Sequence, residues 1–393
     1  MSWPLVKIGD IFEVSSSKRV LQKDWRKEGV PFYRAREVVL LSKHGEVDND
    51  LFIDESMYET FKEKYGVPQE GDLLVTAVGT LGQTYAVKKH DRFYFKDASV
   101  IMFRPKVTVD MSYIQYAIRS SEVQRFIQNS DGATVGTYTI SRAKETLIPL
   151  PPLEEQKRIA AILDKADAIR QKRKQAIDLA DEFLRSVFLD MFGDPVTNPK
   201  GWEVVELADV THKVTDGTHK TPTYTSEGVP FLSAKNIKPW GLDWSDTKFV
   251  STDEHNDLIR RCNPEKGDVL LSKSGSLGTP AIVEVDKEFS LFESAALFKL
   301  NKEIIEPEYL FHYLRSNPTK YMMLKSTKGV AIKHLHLTDL RRLNILLPPK
   351  SLRLQFMEIA SLVKNKVEKL NDAGSLSDDN FSALSQKAFS GQL

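Results

Sequence analysis

The sequence predicts a mixed α/β protein (α+β): two repeated globular domains separated by two long antiparallel helices, with pseudo-twofold symmetry. Three observations predict it. The chain repeats itself with a period of about 197 residues. The first part of each repeat alternates short apolar runs with turn residues, which is strand patterning. Each repeat then ends in Pro-Pro and a long apolar stripe at helical spacing. With 393 residues, 41% hydrophobic and 28% charged, the chain has ordinary globular composition and length for two or three cores.

The repeat rests on five landmarks in one order. Trp3 opens WPLVKIGDIFEV and Trp202 opens WEVVELADVTHK, 199 positions later, and EGVPF occurs at Glu28–Phe32 and at Glu227–Phe231 with the same spacing. GDLLVTAVGTLGQ from Gly71 matches GDVLLSKSGSLGT from Gly267, and YIQYAIRS from Tyr113 matches YLFHYLRS from Tyr309, both at 196. Pro151-Pro152 recurs as Pro348-Pro349, at 197. So constant a register marks a tandem duplication.

Within each repeat DLLVTAV and DVLLSKS read as strands, bounded by GVP, GTLG and GSLG as turns. The glycine loops at Gly79 and Gly275 lead into strand-like YAVKK and PAIVEV rather than into GK[ST] and a helix. They are therefore expected to be hairpin turns, not phosphate cradles. Late in each repeat, MSYIQYAIRSSEVQRFIQ and PEYLFHYLRSNPTKYMML each read as a helical piece.

After the first Pro-Pro, Ile159, Ile162, Ala166, Ile169, Ala176, Ala180, Phe183 and Val187 form one stripe. Pro152 suits a first turn, Glu154 and Glu155 complement its positive end, and Gly193 before Asp-Pro is a stop. A helix of this length spans on the order of 60 Å. Leu153 to Phe192 carries eight Lys/Arg and eight Asp/Glu, so it is no basic DNA-tracking stripe. The second helix starts near Leu352, continues through Phe356, Ile359, Leu362, Val363 and Leu370, and is expected to break near Gly374. Ser377 would cap a shorter helix carrying Phe381, Leu384 and Ala388. The two stripes most simply pack on each other as a spacer; the other reading has each helix covering its own domain. The domains are thus 1–150, 151–194 for the central helix, 195–347, and 348–393 for the final helix.

Net charge is +1, so any nucleic-acid affinity must be local. One stretch qualifies: Lys320, Lys325, Lys328, Lys333, Arg341 and Arg342 stand against Asp339 alone. No export signal and no membrane-length apolar run appears, which predicts a cytoplasmic protein with no membrane partner. Cys262 is the only cysteine, so it is expected to be a structural thiol. His334 and His336, two apart, would share one face of a strand without a third metal ligand. Asn198-Pro199, Asn263-Pro264 and Asn317-Pro318 lack the second Pro and aromatic of an amino-methyltransferase site, and no hydrolase or nuclease constellation is present. The expectation is a binding or assembly protein with no cofactor of its own.

The module made of WPLVKIGDI, EGVPF, GDLLVTAVGTLG and IPLPPLEEQKRIAAILDKADAI resembles the specificity subunit of type I restriction-modification enzymes, over essentially the whole chain. The last motif is the most specific. The second copy is looser: KSLRLQFMEIASLV keeps Gln355 and the stripe but not the EEQ and RIA lettering. The resemblance implies two target-recognition domains, each reading one half of a bipartite, asymmetric double-stranded DNA site. The helices would set the spacing and dock two modification (adenine-N6 methyltransferase) subunits. S-adenosylmethionine would belong to those subunits, and ATP and Mg to the restriction (translocase and nuclease) subunits of the full complex. On that reading the DNA-contacting groups of the first domain are Arg34, Arg36, Thr80, Gln83, Thr134, Thr137, Tyr138 and Thr139. Those of the second are Ser233, Lys235, Asn236, Lys273, Ser274, Ser276, Lys333, His334 and His336. The alternative is a non-enzymatic coiled-coil adaptor with two protein-binding end domains.

Overall fold

A computed structural model of the chain describes residues 3–129, 136–239, 241–325 and 334–393. Two compact units emerge, Met1–Lys174 with Asp372–Leu393, and Gln175–Asn371. The division falls inside the two long helices rather than at their ends. The reason is burial: Ile159, Ala160, Leu163 and Ala388 belong to the core of the first unit, and Leu184, Phe188, Phe192, Phe356 and Ala360 to that of the second. A helix end that buries apolar side chains against a sheet becomes part of that unit's core.

Both units are built on one topology. In the first, an antiparallel sheet runs in the order Phe12–Ser15, Val100–Pro105, Leu73–Thr76, Thr84–Ala86. Beside it Phe52–Ile53 pairs antiparallel, and Tyr94–Phe95 parallel, with Val30–Tyr33. A ribbon of Leu5–Lys7 with Leu147–Pro149 ties the start of the repeat to its end. The second unit repeats this with Thr211–Asp216, Ala295–Leu300, Val269–Ser272 and Pro280–Ile282, then Lys248–Val250, Val229–Leu232 and Ser290–Leu291, and the ribbon Glu203–Glu206 with Asn344–Leu347.

The sequence landmarks are explained by contacts. The glycine of EGVPF has positive φ in both copies, and a Cβ there would run into the carbonyl of Ile53 (at Gly29) or Val250 (at Gly228) on the neighbouring strand. The aspartate after Gly71 and Gly267 is buried; its carboxylate accepts a backbone N–H three residues earlier and pairs with Arg104 (Asp72) or Lys299 (Asp268). Tyr113 and Tyr309 each donate a buried hydroxyl to the closing ribbon, at Pro149 O (2.8 Å) and Leu346 O (2.9 Å).

Each late helical piece is two helices, not one. Met111–Arg119 and Ser121–Gln128 are separated by Ser120, and Pro307–Arg315 and Asn317–Lys325 by Ser316, both with extended backbone. The turn brings the second helix under the hairpin glycine: a Cβ at Gly82 would meet Gln124, and one at Gly278 would meet Met323. Apolar periodicity continues across the serine, which hides the break.

The central helix spans Leu153–Phe192, with Glu154 and Glu155 in its first turn and Gly193 at φ 80° after its end. Gln156 is buried at its start, donating to Pro151 O and accepting from Asp110 N. The equivalent position in the second copy is Arg353, which donates to Ile304 O and pairs with Glu306 at 3.2 Å. Counted from the Pro-Pro, the counterpart of Gln156 is therefore Arg353 and not the retained Gln355.

The final helix, Lys350–Ser390, is continuous, and the expected break at Gly374 does not occur. Gly374 is a close-approach glycine: the guanidinium of Arg173 occupies the space its Cβ would fill. Within the first unit the two helices run antiparallel. Arg158 donates to Leu393 O (2.9 Å), and the Arg170 guanidinium lies 4.6 Å from the Phe381 ring centroid. In the second unit Phe188 and Phe192 pack edge-on against Phe356. No helix among the described residues is long and apolar enough to cross a membrane.

Candidate nucleic-acid interface

In each unit five chain segments converge on one end of the sheets. In the first they follow Ser15, Tyr33, Thr76, Phe95 and the undescribed stretch before Gly136. Ser17 Oγ donates to Phe95 O (2.7 Å), Lys96 N to Tyr33 O (2.8 Å), Ala77 N to Ser99 O (2.8 Å) and Tyr138 N to Ala77 O (2.9 Å). In the second unit Thr218 N donates to Leu291 O (3.0 Å), Phe292 N to Leu232 O (2.9 Å), Lys273 N to Ser294 O (2.7 Å) and Leu335 N to Lys273 O (3.2 Å). The bonds Tyr138–Ala77 and Leu335–Lys273 join the same two loops in both copies.

The turns at Gly79 and Gly275 are hairpin connections, as expected. Thr76 and Ser272 knot them, each hydroxyl donating to the carbonyl of Thr80 or Ser276. Both glycines of each turn have positive φ. This leaves the Thr80 and Ser276 side chains exposed at the tip, with Gln83 and Ser274 half-buried beside them.

The loops after EGVPF differ most between the units. Arg34 caps the helix Ala35–His44, and its guanidinium bonds Glu37 (2.8 and 3.0 Å) and Asp50 (2.7 Å). Burial alone would raise the Glu37 carboxyl; the Arg34 bonds outweigh it and hold it below the usual carboxylate range. Arg36 is the freer of the two, 59% exposed, 3.3 Å from Glu37. In the second unit the same place holds a single turn, Ala234–Asn236, and the hairpin Ile237–Lys238 with Gly241–Leu242. Lys235 is exposed and pairs with Asp246 (2.8 Å), and half-buried Ser233 starts the turn.

Several expected contact residues are structural instead. Asn236 is buried and holds the hairpin, donating to Asp243 O (3.0 Å) and Asp246 O (3.1 Å). Tyr138 is buried, its hydroxyl 2.6 Å from Thr146 Oγ1. Lys273 is buried with its ammonium 2.6 Å from Asp216. A polar group with all its partners inside the fold has no face left for DNA. Thr137 and Thr139 remain exposed, and Thr139 caps the helix Ile140–Glu145. Thr134 and Lys333 lie outside the described residues.

His334 and His336 are not in a strand. They lead into the helix Leu337–Arg341, where His336 is the N-cap, with ring centroids 5.7 Å apart and His334 Nε2 3.6 Å from Glu293. Burial first, then nearby Lys273, holds the His334 imidazole below its ordinary value. Among the described residues no group of three or more His, Cys, Asp or Glu is arranged to hold a metal ion. Cys262 is a buried thiol that burial pushes up to about 12, which matches the structural role expected of it.

Other cations at these ends were not singled out by the sequence. In the first unit Arg19 lies 4.0 Å from Asp97, and Lys96 stands over the Trp25 ring. In the second, buried Asp216 gathers Lys273, Arg261 (2.7 Å) and His219 (3.3 Å). Burial would raise this carboxyl, yet the bonds to Lys273 and Arg261 lower it overall. The repeat carried one available signal: Asp97 and Glu293 occupy equivalent positions just after equivalent strands.

A sheet scaffold used twice, with variable cation-bearing loops at one end of each copy, is the form of a polyanion-recognition module. The sequence matches the type I restriction modification DNA specificity domain over residues 2–179 and again over 199–368. The chain belongs to that family, as a non-catalytic DNA-specificity subunit with two target-recognition domains.

Over 395 residues it is 23% identical to the type I restriction enzyme MjaIX specificity subunit of Methanocaldococcus jannaschii, covering 94% of this chain and 87% of that one. It is 24% identical to the EcoBI specificity subunit of Escherichia coli over 298 residues, 67% of this chain and 62% of that one. A third alignment, to S.HindORF215P of Haemophilus influenzae, has 27% identity over 179 residues and spans 45% of this chain and 44% of its relative. Two solved structures share the fold. One is the type I restriction-modification S subunit from M. genitalium (TM-score 0.55, 16% identity, 99% of this chain and 96% of that one). The other comes from work on complex assembly and conformational transition of the type I R-M system (TM-score 0.55, 18% identity, 100% and 98%).

Proposed function

We propose that the loop end of each unit is its DNA-reading face, that each face reads one half of a split site, and that the long helices set the gap and dock two modification subunits. The observation that carries this reading is the shared convergence of five loops in both units, built on equivalent backbone bonds but furnished with different side chains. One scaffold then serves two different half-sites, as asymmetric recognition requires. Arg36, Thr80, Thr137 and Thr139 in the first unit, and Lys235, Ser276 and His336 in the second, are exposed and available. Partly exposed Arg34, Gln83, Ser233, Ser274 and His334 flank them.

The helix surfaces support the docking role. Ile169 is 62% exposed on the first unit, and Leu179, Phe183 and Leu362 are 55%, 52% and 66% exposed on the second. Large apolar side chains left in water on a helix favour a protein partner. S-adenosylmethionine then belongs to the modification subunits, and ATP and Mg to the restriction subunits, with the whole assembly in the cytoplasm.

The test is equilibrium binding of the full chain, with its modification subunits, to a library of random duplexes. The expected result is enrichment of one split motif, and a loss of affinity with a shallower salt dependence in Arg36→Ala and Lys235→Ala variants. Binding without sequence preference would favour the adaptor reading instead.

A further inference from the structure

We propose that Arg261 and His219 read the half-site of the second unit, and that buried Asp216, held by Lys273, is the residue that positions them. This rests on the assignment of the loop end as the DNA face.

The second unit buries an ion pair that its fold does not need. Lys273 and Asp216 have side chains only 3% and 2% exposed, with Nζ 2.6 Å from Oδ2. Desolvating two charges costs several kcal/mol per ion, and the pairing commonly does no more than offset that cost. At the equivalent positions of the sheet the first unit has Ala77 and Ser16, and it builds the same strand order without any such pair. The pair is therefore not a requirement of the topology.

What the pair does is local. Lys273 reaches Asp216 from the end of the strand Val269–Ser272 and also donates to Glu293 O (3.0 Å). It thereby fixes a carboxylate at the tip of Thr211–Asp216, where the chain enters the loop. Two side chains from outside the sheet close on that carboxylate: Arg261 Nη2 donates to Oδ1 at 2.7 Å, and His219 Nε2 lies 3.3 Å away. Both are exposed, 56% and 58%.

An arginine tied by one nitrogen to a buried acid loses rotamer freedom before it meets a ligand, yet keeps other donors of its planar fork for a base edge. That is what bidentate contact with guanine O6 and N7 asks for. The loop carrying His219 is equally fixed. The backbone of Leu291 and Phe292 occupies the space a Cβ on Gly217 would take, and Glu293 N donates to Thr218 O at 3.0 Å.

The experiment uses the full chain assembled with its modification subunits. Its probes are duplexes carrying the split site obtained from the host genome's methylation pattern, with every base pair of each half replaced in turn. Wild type is expected to discriminate at both halves. Arg261→Ala should lose about 5- to 150-fold of discrimination at one or two base pairs of the second half-site and none in the first. Arg261→Lys keeps the charge and should bind non-cognate duplex as wild type does, but with the same loss of discrimination.

The double variant Asp216→Asn with Lys273→Met removes both buried charges together, so the fold is kept. It should lose discrimination at the same base pairs as Arg261→Ala, which a merely structural pair would not do. His219→Ala should weaken discrimination in the same half-site. A wild type without any sequence preference overturns the DNA-face reading itself. A wild type that discriminates, beside Arg261→Lys and double variants that discriminate equally well or lose both half-sites alike, overturns this inference alone.

Discussion

The indole Nε1 of Trp202 donates to the carbonyl of Phe192 at 2.8 Å, closing the end of the central helix with the first tryptophan of the second repeat. The first unit uses the same device: Trp3 Nε1 donates to Ala388 O at 2.7 Å, at the end of the final helix. The last carbonyls of a helix have no partner within it, so a donor delivered by the next segment both satisfies one and docks the helix.

Trp202→Phe keeps the apolar surface and removes the donor. It should cost about 0.5–1.5 kcal/mol in the second unit, and Trp3→Phe about the same in the first. Denaturant melts monitored by amide exchange in each unit check this. The double variant should equal the sum of the singles to within about 0.5 kcal/mol, since the two bonds share no partner.

Two glycines should respond in opposite ways to alanine. At Gly217 the new Cβ meets backbone atoms of Leu291 and Phe292, which cannot step aside, and Gly217→Ala should destabilise the second unit by about 1–3 kcal/mol or more. At Gly374 it meets the far end of the long Arg173 side chain rather than backbone, and the site is helical. Relief of the glycine entropy cost should dominate there, so Gly374→Ala should be neutral or stabilising by up to about 1 kcal/mol. Thermal unfolding of the two variants side by side decides the matter.

Glu37 makes a pH prediction with a definite sign. Its carboxyl is held below the ordinary value of 4.5 by Arg34, so the folded state binds its proton less readily than the unfolded state. Its stabilising contribution is then fully present above about pH 4.5 and is lost as pH falls through the lowered native value. The stability gap between wild type and Glu37→Gln should be constant from pH 8 to about 5 and shrink below that. A gap that widened on acidification would contradict the sign.

Much of the fold was legible in the sequence because it is carried by local periodicity and by residues with special backbone needs. The repeat, the hairpins at Gly79 and Gly275, and the central helix with its acidic start and glycine stop all came through. Gly374 was misread because glycine in a helical stripe signals a break unless a facing side chain claims the space, and Arg173 is 201 residues away. Gln355 was misread because lettering suggested an equivalence that belongs to Arg353, whose partner Glu306 lies on another segment. Ser120 and Ser316 passed unnoticed because the apolar spacing runs through them.

The candidate site was legible only as clusters. EGVPF, the glycine turns and the segment before Leu147 do meet at one end of the sheets, in both copies. Which members face solvent did not follow. Tyr138, Asn236 and Lys273 look like contact residues in the sequence and are buried, while Arg261 and His219 drew no attention and are exposed.

By itself the sequence determined that this protein has two copies of one scaffold joined by long helices, because apolar spacing and turn chemistry are properties of neighbours along the chain. Only the tertiary structure decided which polar groups are consumed inside the fold and which are left to a ligand. That choice depends on pairs such as Asp216 and Lys273, 57 residues apart, whose partnership exists only once the strands that carry them lie in one sheet.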